Sequence, residues 1–296
     1  MQILDGKKVS EEIYSHLQGK VAALKEKNIY PRLALILIGE NPASLSYVKQ
    51  KRKVSEQIGI QTDFYHFDSS GVTTEKLLQE IQKLNKDQKI HGILVQLPLP
   101  KAVDTATVIK SIHPEKDVDG FTARNLGNMF LGVEFEQLTP CTPMGVIRLL
   151  EAYNISVIGR QIVMVGASNI VGKPLAVMLL NRKATVTVCN SKTPDITFHT
   201  TRADIVIVAV GKPKFITKNM VKKNAIVVDV GINRDEKGKI VGDVDFENVA
   251  PETSYITPVP GGCGPMTVAC LMENVIKAAE NLSLSLAHPV GEDTIC

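Results

Sequence analysis

The chain has no tryptophan, few aromatic residues and almost no excess of one charge. Aromatics make up 5% of its 296 residues, and 34 Lys and Arg against 31 Asp and Glu give a formal net charge of +3. Without a dense run of Lys and Arg, so small an excess argues against a nucleic-acid partner. No apolar run is long enough to cross a bilayer, so a membrane partner is not expected either.

Cysteine is also scarce. The five cysteines (Cys141, Cys189, Cys263, Cys270 and Cys296) are odd in number, and no pair has the spacing of a zinc site, so no metal is expected. The N-terminus lacks the basic-then-apolar pattern of a secretory signal. These features favour the reducing cytoplasm, with most thiols acting as small buried hydrophobes. A catalytic cysteine is the alternative.

What the chain does contain is an alternation of helical and strand patterns. The predicted helices cover residues 9–27, 42–58, 74–85, 144–153 and 173–181. The predicted strands cover residues 33–38, 62–67, 92–96, 161–165, 185–189, 205–210 and 225–230. Such alternation predicts parallel sheets with right-handed crossovers, and the second half has a doubly wound, nucleotide-binding pattern.

Length and pattern together predict an α/β fold of two domains. Residues 1–120 are expected to form an N-terminal substrate-binding catalytic domain, to which a C-terminal helix over residues 268–286 returns. Residues 140–267 are expected to form a Rossmann-like nucleotide-binding domain. Between them, residues 121–139 are interpreted as a linker or hinge, and residues 287–296 as a flexible tail.

A glycine-rich loop, Gly166-Ala167-Ser168-Asn-Ile-Val-Gly172-Lys-Pro174, joins the strand over residues 161–165 to a helix. Gly166 allows a tight turn, and Gly172 lets the helix approach the strand. The spacing is not standard, because Ser168 replaces the second glycine of the dinucleotide fingerprint and one residue is inserted before the last. N–H groups at the start of the helix would face a pyrophosphate. The context favours nucleotide binding.

The end of the next predicted strand indicates which nucleotide binds. A chain that selects NAD usually has Asp or Glu there, but here Cys189 is followed by Asn190, Ser191 and Lys192, with no acid before Asp195. A serine can donate to a phosphate and a lysine supplies positive charge, so NADP is favoured over NAD. The alternative is an exposed polar turn.

Four polar residues in the first half form a candidate site. Tyr47 and Lys51 are four residues apart on a predicted helix and share one face, while Gln96 and Asp119 stand where a strand ends and a glycine turn begins. Side chains on such ends could share a cleft. The alternatives are a surface pair for the first two, a satisfied strand edge for Gln96 and turn chemistry for Asp119.

The segment Pro258-Val-Pro-Gly-Gly-Cys-Gly-Pro-Met-Thr-Val-Ala269, here called the closing loop, combines three glycines with three prolines. The glycines permit close backbone approach and the prolines stiffen the turns. An apolar run follows, so the loop is expected to end at a helix N-terminus whose N–H groups suit an anion or a polarised carbonyl. A rigid turn without a ligand is the alternative.

Together these segments resemble the bifunctional methylenetetrahydrofolate dehydrogenase/methenyltetrahydrofolate cyclohydrolase family over nearly the whole chain. In order, the matching motifs are Ile3-Leu-Asp-Gly6, Tyr47-x-x-x-Lys51, Val95-Gln-Leu-Pro-Leu99, Lys116-Asp-Val-Asp-Gly120, Pro140-Cys-Thr-Pro143, Gly166-x-Ser168-x-x-x-Gly172-x-Pro174 and the closing loop. Several are weak alone, but their order and spacing are specific.

The resemblance implies two linked reactions of one-carbon metabolism, which supplies purine biosynthesis. 5,10-Methylene-tetrahydrofolate gives a hydride to NADP⁺, and water then opens the methenyl cation to 10-formyl-tetrahydrofolate. The resemblance also implies a homodimer with the nucleotide domain as its interface. Some relatives carry an arginine where this chain has Ala167, which weakens the preference for NADP.

The resemblance further assigns roles by position. Lys51 would be the catalytic lysine, mainly for the hydrolysis, and Gln96 would orient it, while Asp119 would hold the pterin and Tyr47 would stack on the aminobenzoyl ring. Further substrate contacts are expected from Leu97, Pro260 and Gly261. Cofactor contacts are expected from Gly166, Ala167, Ser168, Ser191, Lys192, Ile232 and Thr267.

Two other functions compete with this one. A different two-domain NADP dehydrogenase, acting on shikimate or an amino acid, would leave the Tyr47/Lys51 pair and the closing loop unexplained. A nucleotide-binding module without catalysis would predict that the four-residue site is disrupted, yet all four residues are present.

Overall fold

The computed structural model describes residues 1–287, in which strands and helices alternate as expected. The strands are β1 (Gln2–Ile3), β2 (Arg32–Ile38), β3 (Gln61–Phe67), β4 (Gly92–Val95), β5 (Gln161–Val165), β6 (Thr185–Cys189), β7 (Ile205–Val208), β8 (Ala225–Asp229), β9 (Asn233–Arg234), β10 (Ile240–Val241) and β11 (Thr253–Ile256). The α-helices are α1 (Gly6–Glu26), α2 (Pro42–Ile58), α3 (Thr74–Lys86), α4 (Thr105–Lys110), α5 (Ala123–Leu131), α6 (Cys141–Ala152), α7 (Gly172–Asn181), α8 (Ile196–Thr200), α9 (Phe246–Val249) and α10 (Cys263–Ala287).

The chain forms two compact units. Unit 1 comprises Met1–Glu12 and Leu126–Cys270, and unit 2 comprises Ile13–Asn125 and, within the described residues, 271–287. Residues 1–12 were expected to belong to the N-terminal domain. In the structure, β1 pairs in parallel with β11 and therefore belongs to unit 1. Residues 121–139, expected to be a linker, contain α5 and a 3₁₀ turn (Val133–Phe135). The boundaries of the functional domains stay predictions.

Unit 1 contains a six-stranded sheet in the order β1-β11-β8-β7-β5-β6, and all its neighbours pair in parallel. From β5 the chain first adds β6 on one side and then returns to add β7 on the other. That reversal is the switch point at which ligands bind in doubly wound sheets, beyond the carboxyl ends of the strands. The predicted two-domain α/β fold with a doubly wound sheet is confirmed.

Unit 2 contains the parallel sheet β3-β2-β4, with β2 in the centre. Residues 33–38 of β2 are buried, as a strand covered on both faces requires. Helix α2 has the predicted bounds, because both ends are capped. The side chain of Asn41 accepts from the N–H groups of Ala43 and Ser44, and Gly59 ends the helix in the left-handed conformation at φ 86°.

The C-terminal helix begins earlier than the closing-loop motif suggests. Helix α10 starts at Cys263, so Pro265 and Thr267 lie inside the helix and only residues 258–262 form the loop. A proline is tolerated there because the N–H groups of a first helical turn have no partner within the helix. From Leu271 onward α10 belongs to unit 2, as expected for a returning helix. The predicted tail lies outside the described residues from 288 onward, and Cys296 with it.

Candidate active site

Helix α2 carries Lys51 on its buried face, next to the end of β4. The side chain of Lys51 is 7% exposed, and its Nζ atom donates to Oε1 of Gln96 at 2.9 Å. Gln96 directly follows β4, and its backbone N–H donates to the carbonyl of Ile36 in β2 at 2.8 Å. Its Nε2 atom donates to the carbonyl of Leu97 at 2.8 Å. The amide is therefore held from both sides, with its oxygen on the lysine.

Tyr47 lies one turn before Lys51 on the same face of α2 and is half-buried. Burial raises the pKa of its phenol above the ordinary value of 10.0, so the ring is neutral near pH 7. The other cations of the helix, Lys49, Arg52 and Lys53, are exposed. They line a separate cavity of about 770 Å³ against β3. Of the four cations in α2, Lys51 is thus the buried one.

The motif around Asp119 divides into structural and accessible acids. Asp117 is buried, and its carboxylate accepts from the N–H groups of Gly120 at 2.9 Å and Thr122 at 2.7 Å, and from Nδ2 of Asn125 at 3.0 Å. Asp117 thereby fixes the turn that follows Asp119. The sequence did not single out Asp117 or Asn125, although an acid two residues before another acid and a glycine is a signal for such a turn.

Asp119 itself comes to the same sheet edge as Gln96. Asp117 pairs with Ile93 of β4 in a parallel bridge, so two residues later Asp119 reaches the carboxyl end of that strand. It is half-buried. The structure therefore brings Lys51 and Gln96 into contact, with Asp119 at the same edge and Tyr47 one turn away on the same helix face.

In unit 1, the glycines of the nucleotide loop are required by close backbone contacts. Gly166 has φ 119°, and a Cβ atom there would collide with the carbonyl oxygen of Ala209, which follows β7. A Cβ atom on Gly172 would collide with the carbonyl oxygen of Gly166. Backbone atoms therefore pack directly on backbone atoms at the switch point. As a result, α7 begins close to the edge of the sheet.

Ser168 lies at the start of α7. Its Oγ atom accepts from the N–H groups of Val171 at 3.2 Å and Gly172 at 3.4 Å. Two of the N–H groups that were expected to face a pyrophosphate thus donate to a protein acceptor here. Both bonds are at the long end of the usual range, so an anion can compete for these donors. Ala167 is half-buried beside them.

The turn after β6 presents Ser191 and Lys192 to solvent. Asn190 shapes this turn. Its Oδ1 atom accepts from the N–H of Lys192 at 2.9 Å, and its own N–H donates to Oγ1 of Thr193 at 3.0 Å. The turn thus offers a hydroxyl and an ammonium group where an NAD-selecting chain would place a carboxylate. Sequence reasoning did not assign Asn190 this role.

Two further cofactor candidates lie at the first turns of α10: Ile232 packs against them, and Thr267 lies within them. Ile232, which follows β8, is 45% exposed, and its Cδ1 atom would lie 4.0 Å from a Cβ atom on Gly264. The hydroxyl of Thr267 is 3.1 Å from Oγ1 of Thr142 and 3.2 Å from the carbonyl oxygen of Cys263. The first turns of α10 therefore pack against both the loop after β8 and the Pro140-Cys-Thr-Pro143 motif.

The closing loop is braced by the N-terminal motif Ile3-Leu-Asp-Gly6. The N–H of Lys7 donates to the carbonyl of Gly261 at 3.0 Å, and a Cβ atom on Gly6 would collide with the carbonyl oxygen of Gly262. Gly261 itself has φ 111°, and the neighbouring Pro260 is exposed. This contact gives the N-terminal motif a physical role that its sequence alone did not reveal.

The described cysteines do not form a reactive site. Cys141, Cys189, Cys263 and Cys270 are buried thiols. Burial raises the pKa of the Cys263 thiol, and also that of Cys189, so both remain protonated at neutral pH. Cys263 is thus a packing residue at the start of α10, which agrees with the expectation that most thiols act as small buried hydrophobes.

These features fit a bound dinucleotide, because close-packed glycines and the start of α7 meet at the switch point, with a turn free of carboxylates beside them. Fold and site together define a two-unit α/β nucleotide-binding protein with a lysine–glutamine pair in its second unit. A family model described as "Tetrahydrofolate dehydrogenase/cyclohydrolase, catalytic domain" matches residues 4–119, and one described as "Tetrahydrofolate dehydrogenase/cyclohydrolase, NAD(P)-binding domain" matches residues 140–283. The chain belongs to the tetrahydrofolate dehydrogenase/cyclohydrolase family.

Individual relatives cover nearly the whole chain. The bifunctional protein FolD of Nautilia profundicola is 51% identical over 283 residues, which is 96% of this chain and 99% of that protein. The crystal structure of the bifunctional FolD methylenetetrahydrofolate dehydrogenase/cyclohydrolase from Campylobacter jejuni is 52% identical, with a TM-score of 0.92 over 95% of this chain and 99% of that one. The Trypanosoma brucei enzyme, complexed with NADP and an inhibitor, is 35% identical, with a TM-score of 0.90 over 94% and 97% of the two chains.

Among the described residues, no helix is both long and apolar enough to cross a membrane.

Proposed function

We propose that this protein oxidises 5,10-methylene-tetrahydrofolate to 5,10-methenyl-tetrahydrofolate with NADP⁺ and hydrolyses that product to 10-formyl-tetrahydrofolate. These are the two activities named for relatives that are about half identical over nearly the whole chain. The observation that carries the proposal is the buried Lys51, whose Nζ atom donates to Oε1 of Gln96 at 2.9 Å. A buried lysine with a fixed amide partner suits proton transfer. Packing alone does not require a lysine here, because a Leu or Met side chain would fill the same space.

In the hydrolysis, a water molecule adds to the methenyl carbon and loses a proton, which leaves a hydroxyl group on that carbon. The hydroxyl group then loses its proton as the bond from the carbon to N5 breaks, N5 takes up a proton, and the formyl group stays on N10. We assign Lys51 as the group that takes the proton from the attacking water. A lysine does this only in its neutral form, and the positive charge of the methenyl ligand lowers the pKa of a neighbouring amine. Gln96 accepts from the lysine and so fixes the direction of its remaining hydrogens and lone pair.

The hydride transfer requires no acid or base of its own, so the residues serve to bind and orient. When bound, NADP⁺ supplies the hydride acceptor. Asp119 is proposed to accept hydrogen bonds from the pterin, and the neutral ring of Tyr47 to stack on the aminobenzoyl group. Leu97, Pro260 and Gly261 are proposed as further substrate contacts.

NADP is the cofactor. The nucleotide contacts are proposed to come from Gly166, Ala167, Ser168, Ser191, Lys192, Ile232 and Thr267. The choice of NADP over NAD is supported by the turn after β6, whose exposed side chains are a hydroxyl and an ammonium group rather than a carboxylate. Ala167 contributes no charge there, so Ser191 and Lys192 are proposed to bind the 2′-phosphate.

Spectroscopic assay of the methenyl chromophore tests the proposal. We expect purified protein to form it from methylene-tetrahydrofolate with NADP⁺ more efficiently than with NAD⁺. We expect Lys51→Met to abolish conversion of methenyl- to 10-formyl-tetrahydrofolate. Lys53→Met, on the exposed face of the same helix, is the matched control and should hydrolyse normally. Normal hydrolysis by Lys51→Met would refute the mechanism, and the absence of folate oxidation with either cofactor would refute the activity.

We also propose that the protein is a homodimer whose interface lies on unit 1. That unit exposes large apolar side chains on the edge strand β6 and at the ends of α5 and α7, and soluble monomers seldom leave a contiguous apolar patch uncovered. They include Phe130, Leu131, Leu180 and Val188. The ends of α5 and α7 lie together, because Nδ2 of Asn181 donates to the carbonyl of Met129 at 2.7 Å. Light scattering after gel filtration should give twice the chain mass, and Phe130→Asp should give monomers. A monomeric wild type would contradict this.

A location in the cytoplasm is supported by the cysteine pattern of the sequence and stays a prediction.

A further inference from the structure

Asp243 binds two loops of unit 1 at once. Its Oδ2 atom accepts from the N–H groups of Val210 at 2.6 Å and Gly211 at 3.0 Å. Its Oδ1 atom accepts from the N–H of Lys212 at 2.8 Å and from Nδ2 of Asn233 at 2.8 Å. The side chain is fully buried. Four donors on one buried carboxylate fix residues 210–212 and 233 relative to each other, since bonds to a charged acceptor are the stronger kind.

These two loops lie at the carboxyl edge of the sheet, beside the nucleotide loop. Val208, the last residue of β7, pairs with Val165 of β5 on one side and Asp229 of β8 on the other. Ala209 follows and packs against Gly166, the first glycine of the nucleotide loop. Residues at this edge next to the switch point are the ones that meet a ligand in a doubly wound sheet.

Asp243 is itself held in a rigid frame. Asp229 accepts from the N–H groups of Asp243 at 3.0 Å, Gly231 at 2.9 Å and Val244 at 2.8 Å. A Cβ atom on Gly231 would collide with the carboxylate of Asp243, and one on Gly242 with that of Asp229. The two carboxylates thus fill the space that side chains at these glycines would need. Such packing leaves Asp243 no other position.

We propose that Asp243 is a positioning residue for the nucleotide. It acts through residues 210–212 and 231–233, the loops after β7 and β8, rather than by touching the ligand. The inference rests on the proposed function, because it assigns a support to the nucleotide site of that reaction. If Asp243 only stabilised the fold, its loss would reduce both activities equally. If it positions the nucleotide, only the oxidation should suffer, since methenyl hydrolysis requires no nucleotide.

Asp243→Asn tests this directly. The amide keeps the size of the side chain, but its Nδ2 group faces N–H donors and can accept from none of them. We expect the KM for NADP⁺, and its Kd in isothermal titration calorimetry, to rise about tenfold or more, because NADP⁺ must then order the loops that Asp243 no longer fixes. Hydrolysis of methenyl-tetrahydrofolate should proceed at the wild-type rate. Asp235→Asn is the matched control, because that carboxylate accepts only from backbone N–H groups of its own hairpin, Lys237 and Lys239.

A second variant keeps the test decisive if Asp243→Asn does not fold. Asn233→Ala removes one of the four donors and leaves the carboxylate in place, so we expect a smaller rise in the Kd for NADP⁺ and normal hydrolysis. An unchanged Kd in both variants, or an equal loss of both activities in Asn233→Ala, would overturn the inference. A wild type that binds NADP⁺ but oxidises no folate would refute the proposed function instead, and the Kd comparison would still decide the role of Asp243.

Discussion

A methyl group on Gly6 tests how tightly the N-terminal motif braces the closing loop. Gly6 is the first residue of α1, and a Cβ atom there would overlap the carbonyl oxygen of Gly262 and lie 2.8 Å from its carbonyl carbon and 3.2 Å from Cγ of Met266. The first two obstacles are backbone atoms, which cannot rotate away as a flexible side chain can. In Gly6→Ala the closing loop must therefore move.

The expected penalty is that of overpacking a buried site, about 1–3 kcal/mol. For a protein of this size each kcal/mol lowers the Tm by about 2–4 °C, so Gly6→Ala should melt several degrees below the wild type. The displaced loop carries Pro260 and Gly261, which are proposed to contact the substrate. The KM for methylene-tetrahydrofolate should therefore rise as well.

The same helix provides the control. Gly19 lies inside α1, is exposed, and a Cβ atom there would meet nothing within 4 Å. Alanine is favoured over glycine in a helix interior by about 0.5–1 kcal/mol, so Gly19→Ala should raise the Tm. Thermal unfolding followed by circular dichroism measures both variants. The reasoning fails if Gly6→Ala melts at or above the wild-type temperature.

Three further predictions follow from contacts in unit 1. Gly172→Ala places a methyl group against the carbonyl of Gly166 and should raise the KM for NADP⁺ without slowing methenyl hydrolysis; equal loss of both activities would contradict this. Arg182→Gln removes the bidentate partner at 2.8 Å from the 6% exposed carboxylate of Glu136 and should lower the free energy of unfolding in urea by about 1–3 kcal/mol, whereas no loss would exclude a stabilising pair. Burial raises the pKa of Asp229 from 3.8 to about 6, so the stability that it contributes is complete below pH 3.8 and is lost as the pH rises through 6. The gap in unfolding free energy between wild type and Asp229→Asn should therefore shift by about 1 kcal/mol against the wild type from pH 5 to pH 7, and a gap that does not change with pH would refute the assignment.

Local signals in the sequence predicted most of the fold. Helix α2 and strands β5 and β6 have the predicted bounds, because a capping Asn41, a terminating Gly59 and short apolar runs mark their ends unambiguously. The pairing of β1 with β11 was not predicted. A strand of two residues has no periodicity, and its partner lies at the other end of the chain.

The candidate site was predictable in part for a similar reason. Lys51 and Gln96 are 45 residues apart. Their proximity was nevertheless predictable, because the carboxyl ends of parallel strands lie at one edge of the sheet, where the helix after β2 begins and β4 ends. The network of Asp229 and Asp243 follows from no such rule. Its bonds join three separate segments, residues 210–212, 229–233 and 243–244, mostly through backbone N–H groups, and the surrounding Gly-Asp pattern resembles an ordinary turn.

The pairing of β1 with β11 determines the order in which the protein can be completed during synthesis. Gln2 and Ile3 leave the ribosome long before their partners Tyr255 and Ile256, which lie 253 residues further along the chain. The strands of unit 2 are all made before residue 96. They can therefore pair while β1 in unit 1 still lacks its partner strand β11. The final closure of that sheet, and of the loop braced by Gly6, is therefore a late step with high contact order, since it requires that residues 255 and 256 have been made.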